Sequence, residues 1–338
     1  MTAHDAVTVT GPGELAVAGR PLPDNPAWAL VAVERAGLCG TDAKIVRGAI
    51  PVHYPRVLGH EIVGTVVRPG AGGRFDGRRV LVNPTIACGV CDVCRRDRSN
   101  LCPAGYSLGI GADGGMRRLL AVDQAQLHPL PESVSWDAAA SLQVLGTCIH
   151  AQSVVDAGPQ HVGVVVGLGV SGLLHVQLLR ARGVRTVVGV TRSAHKRRVA
   201  EQLGATVTAA PGQALEVVAR VTDGRMADVV VETVGAVDTF AQAIAAAGPG
   251  ASVVVFGIIS ARSGRLPFST LHDRELVVCA PRGARPRDYD AAVALVASGA
   301  VVTEPLLTST WPLQRAGDAL EAMTHPGQLK VAFDPASG

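Results

Sequence analysis

Val162-Gly-Val-Val-Val-Gly-Leu-Gly-Val-Ser-Gly172 decides how this chain folds. The run from Val162 to Val166 is small and β-branched, which reads as a strand buried on both faces. Gly167-x-Gly169-x-x-Gly172 follows at once, and residues 173–182 then carry a helical pattern. Strand, glycine turn and helix in that order make a phosphate cradle. The first glycine permits the tight turn, the second lets a pyrophosphate approach, and the third lets helix and strand pack closely. The helix N-terminus then faces the phosphates. Gly167, Leu168, Gly169, Val170, Ser171 and Gly172 are therefore candidate dinucleotide contacts. A merely flexible loop would not need the flanking elements.

Around this stretch, strands at 186–190, 228–231 and 252–256 alternate with helical segments such as 194–203. That alternation predicts a doubly wound parallel sheet over 148–283. An acid about 20 residues past the glycines would hold the ribose 2′-hydroxyl of NAD. The strand at 186–190 ends instead in Thr191-Arg192-Ser193. Arg192 with Lys196 and Arg197, helped by the Thr191 and Ser193 hydroxyls, can receive a 2′-phosphate, so NADP is expected in preference to NAD. A local reading coexists with it: Ser193 caps the helix and residues 196–198 form its exposed face.

The flanking sequence has another texture. Residues 1–147 are rich in Gly and Pro, with short apolar runs at 28–33, 62–67 and 79–82 that read as strands joined by tight turns. Beyond Pro286 come a helix at 288–298, a turn, a helix at 313–323 and a closing strand near 330–333. The nucleotide domain is thus expected to be inserted into a first domain, 1–147, that 284–338 completes.

Composition bounds the rest. A chain of 338 residues is long enough for two cores. With 48% apolar, 17% charged and 3% aromatic residues, it suits strands stacked between small-residue helices. No apolar run approaches the roughly 18 residues that span a bilayer, and the first residues lack the basic-then-apolar pattern of a secretion signal. No membrane partner and a cytoplasmic location are expected. A net charge of +3 points to no nucleic-acid partner.

Seven cysteines in that setting argue against a disulfide framework. Cys88, Cys91, Cys94 and Cys102 crowd into one lobe, at about 86–104, and four thiolates can close a tetrahedral zinc shell without water. A closed shell means a structural site. An iron–sulfur cluster is the rival reading. Earlier, Cys39-Gly-Thr-Asp42 precedes Gly59-His-Glu61. A thiolate, an imidazole and a carboxylate can form a second site with an open position, with Asp42 accepting the other ring N–H of His60. Singly, Cys39, His60 and Glu61 read as a buried thiol, a core histidine and a surface charge; together they favour a metal.

At this point the chain resembles the medium-chain zinc-dependent alcohol dehydrogenase superfamily, most of all its polyol, sugar and threonine dehydrogenase branch. The matching stretches are Gly37-Leu-Cys-Gly-Thr-Asp42, Pro55-Arg-Val-Leu-Gly-His-Glu61, the cysteine lobe, Asp113-Gly-Gly115, the glycine turn and Asp228-Val-Val-Val-Glu-Thr-Val-Gly235. The resemblance implies an α/β fold, a Rossmann sheet inserted in a GroES-like, mainly-β catalytic domain. It implies hydride transfer between a secondary alcohol (polyol, sugar or cyclitol-like) and NAD(P), with a ketone as product. Two zinc ions per chain and a homodimer or homotetramer also follow from it. Cys39 and His60 fall where the family ligates its catalytic zinc, and Glu61 lies where it can enter the shell. Thr41 falls where a hydroxyl passes the substrate proton outward, and Gly257 and Ile258 fall near the nicotinamide.

Two positions depart from the family pattern. Gln143, in Ala138-Ala-Ala-Ser-Leu-Gln143, stands where Cys or Glu is usual. Its neutral oxygen would bind zinc more weakly and leave the metal more positive; the other reading is that Gln143 only hydrogen-bonds nearby and Glu61 ligates. Lys44 stands where relatives place a histidine that finishes a proton relay. Either Lys44 takes that duty, or it is solvated and the relay ends at the cofactor ribose. Two further classes stay open at this stage. One is a reductase of a C=C or C=N bond with non-essential zinc. The other is a silent NADPH-binding relative, against which the retained Cys39, Thr41 and His60 count.

Overall fold

The computed structural model describes residues 4–337, which divide into two compact units. One comprises 4–146, 285–298 and 303–337; the other comprises 147–284 and 299–302. The sequence pattern places 299–302 with the closing segment, but the structure returns it to the second unit. Gln177 holds it there: its amide donates to Val302 O at 3.0 Å and accepts from Val302 N at 2.7 Å.

In the second unit, all five residues of the strand Val162–Val166 are buried. It lies in a six-stranded parallel sheet, in the spatial order Val207–Ala209, Thr186–Val190, Val162–Val166, Ala227–Glu232, Ala247–Val255, Val277–Cys279. The chain winds to one side of Val162–Val166 and then resumes on the other. That reversal opens a crevice beyond the strand ends, the place where such sheets take ligands. Valine and alanine fill its core, including Val164, Val188, Val230 and Val253.

The first unit is built mainly on antiparallel pairs, the exception in its large sheet being Leu307–Trp311, which runs parallel to Lys330–Phe333. Leu127–Pro129, Arg79–Val82, Glu61–Arg68, Ala29–Leu38, Lys330–Phe333 and Leu307–Trp311 follow one another across a sheet, with Leu119–Val122 also on Ala29–Leu38. Val31, Ile62, Val80, Val82 and Phe333 form the packed face. Leu307–Trp311 was expected to be a turn. Its alternating half-buried and exposed residues (Leu-Thr-Ser-Thr-Trp) make a marginal strand alone, and pairing with Lys330–Phe333 is what completes it. Among the described residues, no helix is long and apolar enough to cross a membrane.

Candidate active site

Cys39 follows the strand Ala29–Leu38 and caps the helix Gly40–Val46. Asp42, fully buried, turns its carboxylate back to accept from Cys39 N at 2.9 Å and from Gly59 N at 3.4 Å. One carboxylate thereby ties the cysteine turn to the segment carrying His60 and Glu61. His60 Nδ1 lies 3.6 Å from Asp42 Oδ1, an ion-pair approach longer than the hydrogen bond expected from sequence. Ligand atoms of Cys39, His60 and Glu61 all lie within 4.8 Å of one another. Thr41 and Lys44 sit half-buried on the same short helix as Asp42.

The electrostatics of this cluster call for a cation. Burial works to depress the His60 pKa, but Asp42 and the Cys39 sulfur outweigh it and raise it well above the usual value. A ring held protonated between anions occupies a place that a dication can take instead. Glu61 Oε1 is buried without a hydrogen-bond partner among the described residues, an arrangement proteins avoid unless something else meets that atom. Thiolate, imidazole and carboxylate form a donor set that zinc accepts. The residues fit the metal.

Lys330 was missed in the sequence. It opens the buried strand Lys330–Phe333, and its ammonium pairs with Glu61 Oε2, the two side chains being 5% and 1% exposed. Burial opposes the Lys330 charge, yet Glu61, then Cys39 and Asp42, raise its pKa. A single lysine leading an otherwise apolar strand was the available signal. Gln143, on the helix Leu142–Gln152, is 9% exposed, and its Nε2 donates to the Tyr289 hydroxyl at 3.5 Å.

In the cysteine lobe the sulfur separations are 4.0 Å for Cys88–Cys94, 3.9 Å for Cys91–Cys102 and 3.5 Å for Cys88–Cys102. Tetrahedral bonding at a Zn–S length of about 2.3 Å sets sulfurs about 3.8 Å apart. The lobe therefore fits one mononuclear ion, whereas several irons would spread the sulfurs. Backbone N–H groups of Val90 and Cys91 pull the Cys88 thiol down to about 6, while desolvation and the Cys91 and Cys102 thiols push Cys94 up to about 12.

The second unit carries the nucleotide residues. Gly167 has φ +94°, and a Cβ on Gly172 would fall 1.9 Å from Gly167 O, so both positions demand glycine. Gly169 caps the helix Val170–Ala181, whose first turn includes Ser171. The Leu168 side chain is 1% exposed in the core, so this residue can offer a ligand only its backbone. After Thr186–Val190, Ser193 Oγ accepts from Lys196 N at 3.3 Å, and Arg197 braces the turn by donating to Thr191 O and Arg192 O at 2.9 and 3.1 Å. Those two sequence candidates thus have structural duties. Arg192 is exposed, and burial lowers the Lys196 pKa. Beyond Ala247–Val255, Gly257 packs on Gly235, and Ile258 is 67% exposed. Glu232, fully buried, shapes this end: its Oε1 accepts from Val234 N, Gly235 N and Thr239 Oγ1 at 2.7, 2.9 and 2.8 Å. In the sequence Glu232 stood out only as part of the stretch Asp228–Gly235, with no sign of this duty.

Residues 25–132 match the alcohol dehydrogenase GroES-like domain family, and 170–298 match the zinc-binding dehydrogenase family. A Mycobacterium tuberculosis protein named as a zinc-binding alcohol dehydrogenase is 32% identical over 98% of this chain and 89% of its own. D-arabitol-phosphate dehydrogenase of Enterococcus avium is 28% identical over 90% of this chain and 89% of its own. A zinc-binding dehydrogenase structure from Sinorhizobium meliloti 1021, bound to NADP, superposes with a TM-score of 0.92 at 32% identity, covering 99% of this chain and 100% of that one.

Proposed function

Because this chain belongs to the medium-chain zinc-dependent alcohol dehydrogenase superfamily, on its polyol-dehydrogenase-like side, we propose that it interconverts the secondary alcohol of a polyol, sugar or cyclitol-like substrate and the ketone, with NADP preferred over NAD. It is a zinc-dependent oxidoreductase that transfers a hydride between a secondary alcohol and a nicotinamide dinucleotide. The observation that carries the reading is the convergence of Cys39, His60 and Glu61 within 4.8 Å.

In this reading Cys39, His60 and Gln143 hold the catalytic zinc, with Glu61 able to join. Cys88, Cys91, Cys94 and Cys102 hold a structural one, giving two per chain. The first ion supplies a Lewis acid that makes an alcohol hydroxyl acidic near neutral pH. Asp42 keeps the Cys39 and Gly59 backbones in place and faces the His60 ring. Thr41 would relay the hydroxyl proton, giving up its own as it accepts the substrate's, outward to the cofactor ribose or to solvent near Lys44. The glycine turn from Gly167 to Gly172 receives the pyrophosphate on backbone N–H groups.

The cofactor preference rests on Arg192, an exposed cation where an acid would serve NAD. Arg192→Ala is expected to weaken NADP binding about tenfold to a hundredfold, the size of a charge-assisted contact to phosphate, and NAD binding less than threefold. Titrating both cofactors by fluorescence checks it, and equal losses would refute the assignment.

We also infer a homodimer or homotetramer in the cytoplasm. Val277–Cys279 is the outer strand of the parallel sheet, with Val277 and Val278 56% and 40% exposed, and an apolar unpaired edge favours a second copy. Light scattering should give two or four times 34.7 kDa; a single-chain mass would contradict this. Free thiols gathered in two metal-type clusters suit a reducing compartment.

A further inference from the structure

Tyr289 is fully buried, and a buried phenol needs a partner for its hydroxyl. Its partner is the amide of Gln143, 146 residues earlier in the chain. Further contacts set the ring in place. Gly146 lies about one turn past Gln143, and a Cβ there would come 2.5 Å from Tyr289 Cδ1. Helix interiors disfavour glycine, so the ring explains why it stands there. On another side the His128 ring lies 5.5 Å away, tilted by 56°. His128 Nδ1 is 2.6 Å from Asp290 Oδ1, which pins the helix Pro286–Ala297 to the strand Leu127–Pro129. Burial first, with the charges of Asp288 and Glu61, raises the phenol pKa against the opposing bond from Gln143.

We propose that Tyr289 is a positioning residue for the Cys39–His60–Glu61 cluster: by accepting the Nε2–H of Gln143, it keeps Oε1 as the atom the amide presents to a metal at Cys39 and His60. The proposal rests on the reading of Gln143 as a ligand. An amide can ligate through oxygen but not through its NH₂. The two ends have nearly the same shape, so an unheld glutamine can turn over at little steric cost. A glutamate has no such requirement, because its two oxygens are equivalent.

Tyr289→Phe removes the hydroxyl and keeps the ring against Gly146. Zinc affinity is measured on the full chain by competition with a chromophoric chelator, with Cys39→Ala giving the baseline of the cysteine lobe alone. Near-ultraviolet circular dichroism verifies that each variant is folded. Gln143→Ala and Tyr289→Phe should each weaken binding at the cluster, the latter about tenfold to a hundredfold, as removal of groups behind a ligand does. In a Gln143→Glu chain, adding Tyr289→Phe should change affinity less than twofold. If Tyr289→Phe binds zinc as tightly as the unmodified chain while Gln143→Ala does not, the role of Tyr289 is wrong and the ligand reading stands. Equal weakening by Tyr289→Phe with and without the Gln143→Glu substitution would reduce Tyr289 to packing and overturn the proposal. Unchanged affinity in Gln143→Ala would remove Gln143 from the ligands, and the proposal with it.

Discussion

Alanine at Cys39 or His60 is expected to lower turnover of a secondary alcohol by about three orders of magnitude or more. The Lewis acid is worth several kcal/mol of transition-state stabilisation, and each 1.36 kcal/mol is a factor of about ten. Cys39, His60 and Glu61 are the three residues whose ligand atoms converge there, so the loss of either the thiolate or the imidazole leaves the metal two of them. The fold should survive, because Asp42 holds this turn through backbone N–H groups rather than through either side chain. Initial rates over a panel of polyols and sugar alcohols, with NADP and with NAD, provide the measurement. Metal analysis should show one zinc per chain retained in the cysteine lobe. A folded Cys39→Ala protein working within twofold of the unmodified rate would end the zinc mechanism and return the chain to the reductases that need no metal.

Lys330→Met should destabilise the protein by about 3–5 kcal/mol, the cost of leaving one partner of a buried ion pair behind. Glu61 would remain 2% exposed with no cation facing Oε2. Adding Glu61→Gln should restore most of the loss, since the double variant no longer buries a charge. Urea unfolding of the two single variants and the double variant gives the coupling directly. A loss below about 1 kcal/mol for Lys330→Met would mean that the carboxylate has another cation to turn to, contrary to that pairing. The activity of the double variant then separates the two readings of Glu61. Full turnover would leave it a structural anchor, and a large loss would make it part of the metal shell.

What could be read without coordinates was local in the chain. The glycine turn announces itself because the strand before it, the three glycines and the helix after it are consecutive, and each has a steric reason within a few residues. The cysteine lobe is legible for the same reason: four sulfurs in fifteen positions leave the chain few ways to point them apart. Arg192 was visible as a missing acid at a known distance. The strands of the nucleotide sheet were visible as valine runs buried on both faces.

Residues that matter through distant partners were not legible. Lys330 meets Glu61 across 269 positions, and nothing near either residue says so, because only the pairing of Lys330–Phe333 with Ala29–Leu38, and of that strand with Glu61–Arg68, brings them together. The marginal strand Leu307–Trp311 exists because Lys330–Phe333 offers it a ladder. That Ser193 caps its helix could be read from the sequence, but that Arg197 braces the same turn through Thr191 O and Arg192 O could not. Sequence alone thus determined the chemistry available to this protein, since ligand type and glycine spacing are properties of short segments. Tertiary structure decided which buried charge neutralises which, and which hydroxyl holds the unusual glutamine, because those energies depend on contacts that form only once the strands and helices have packed.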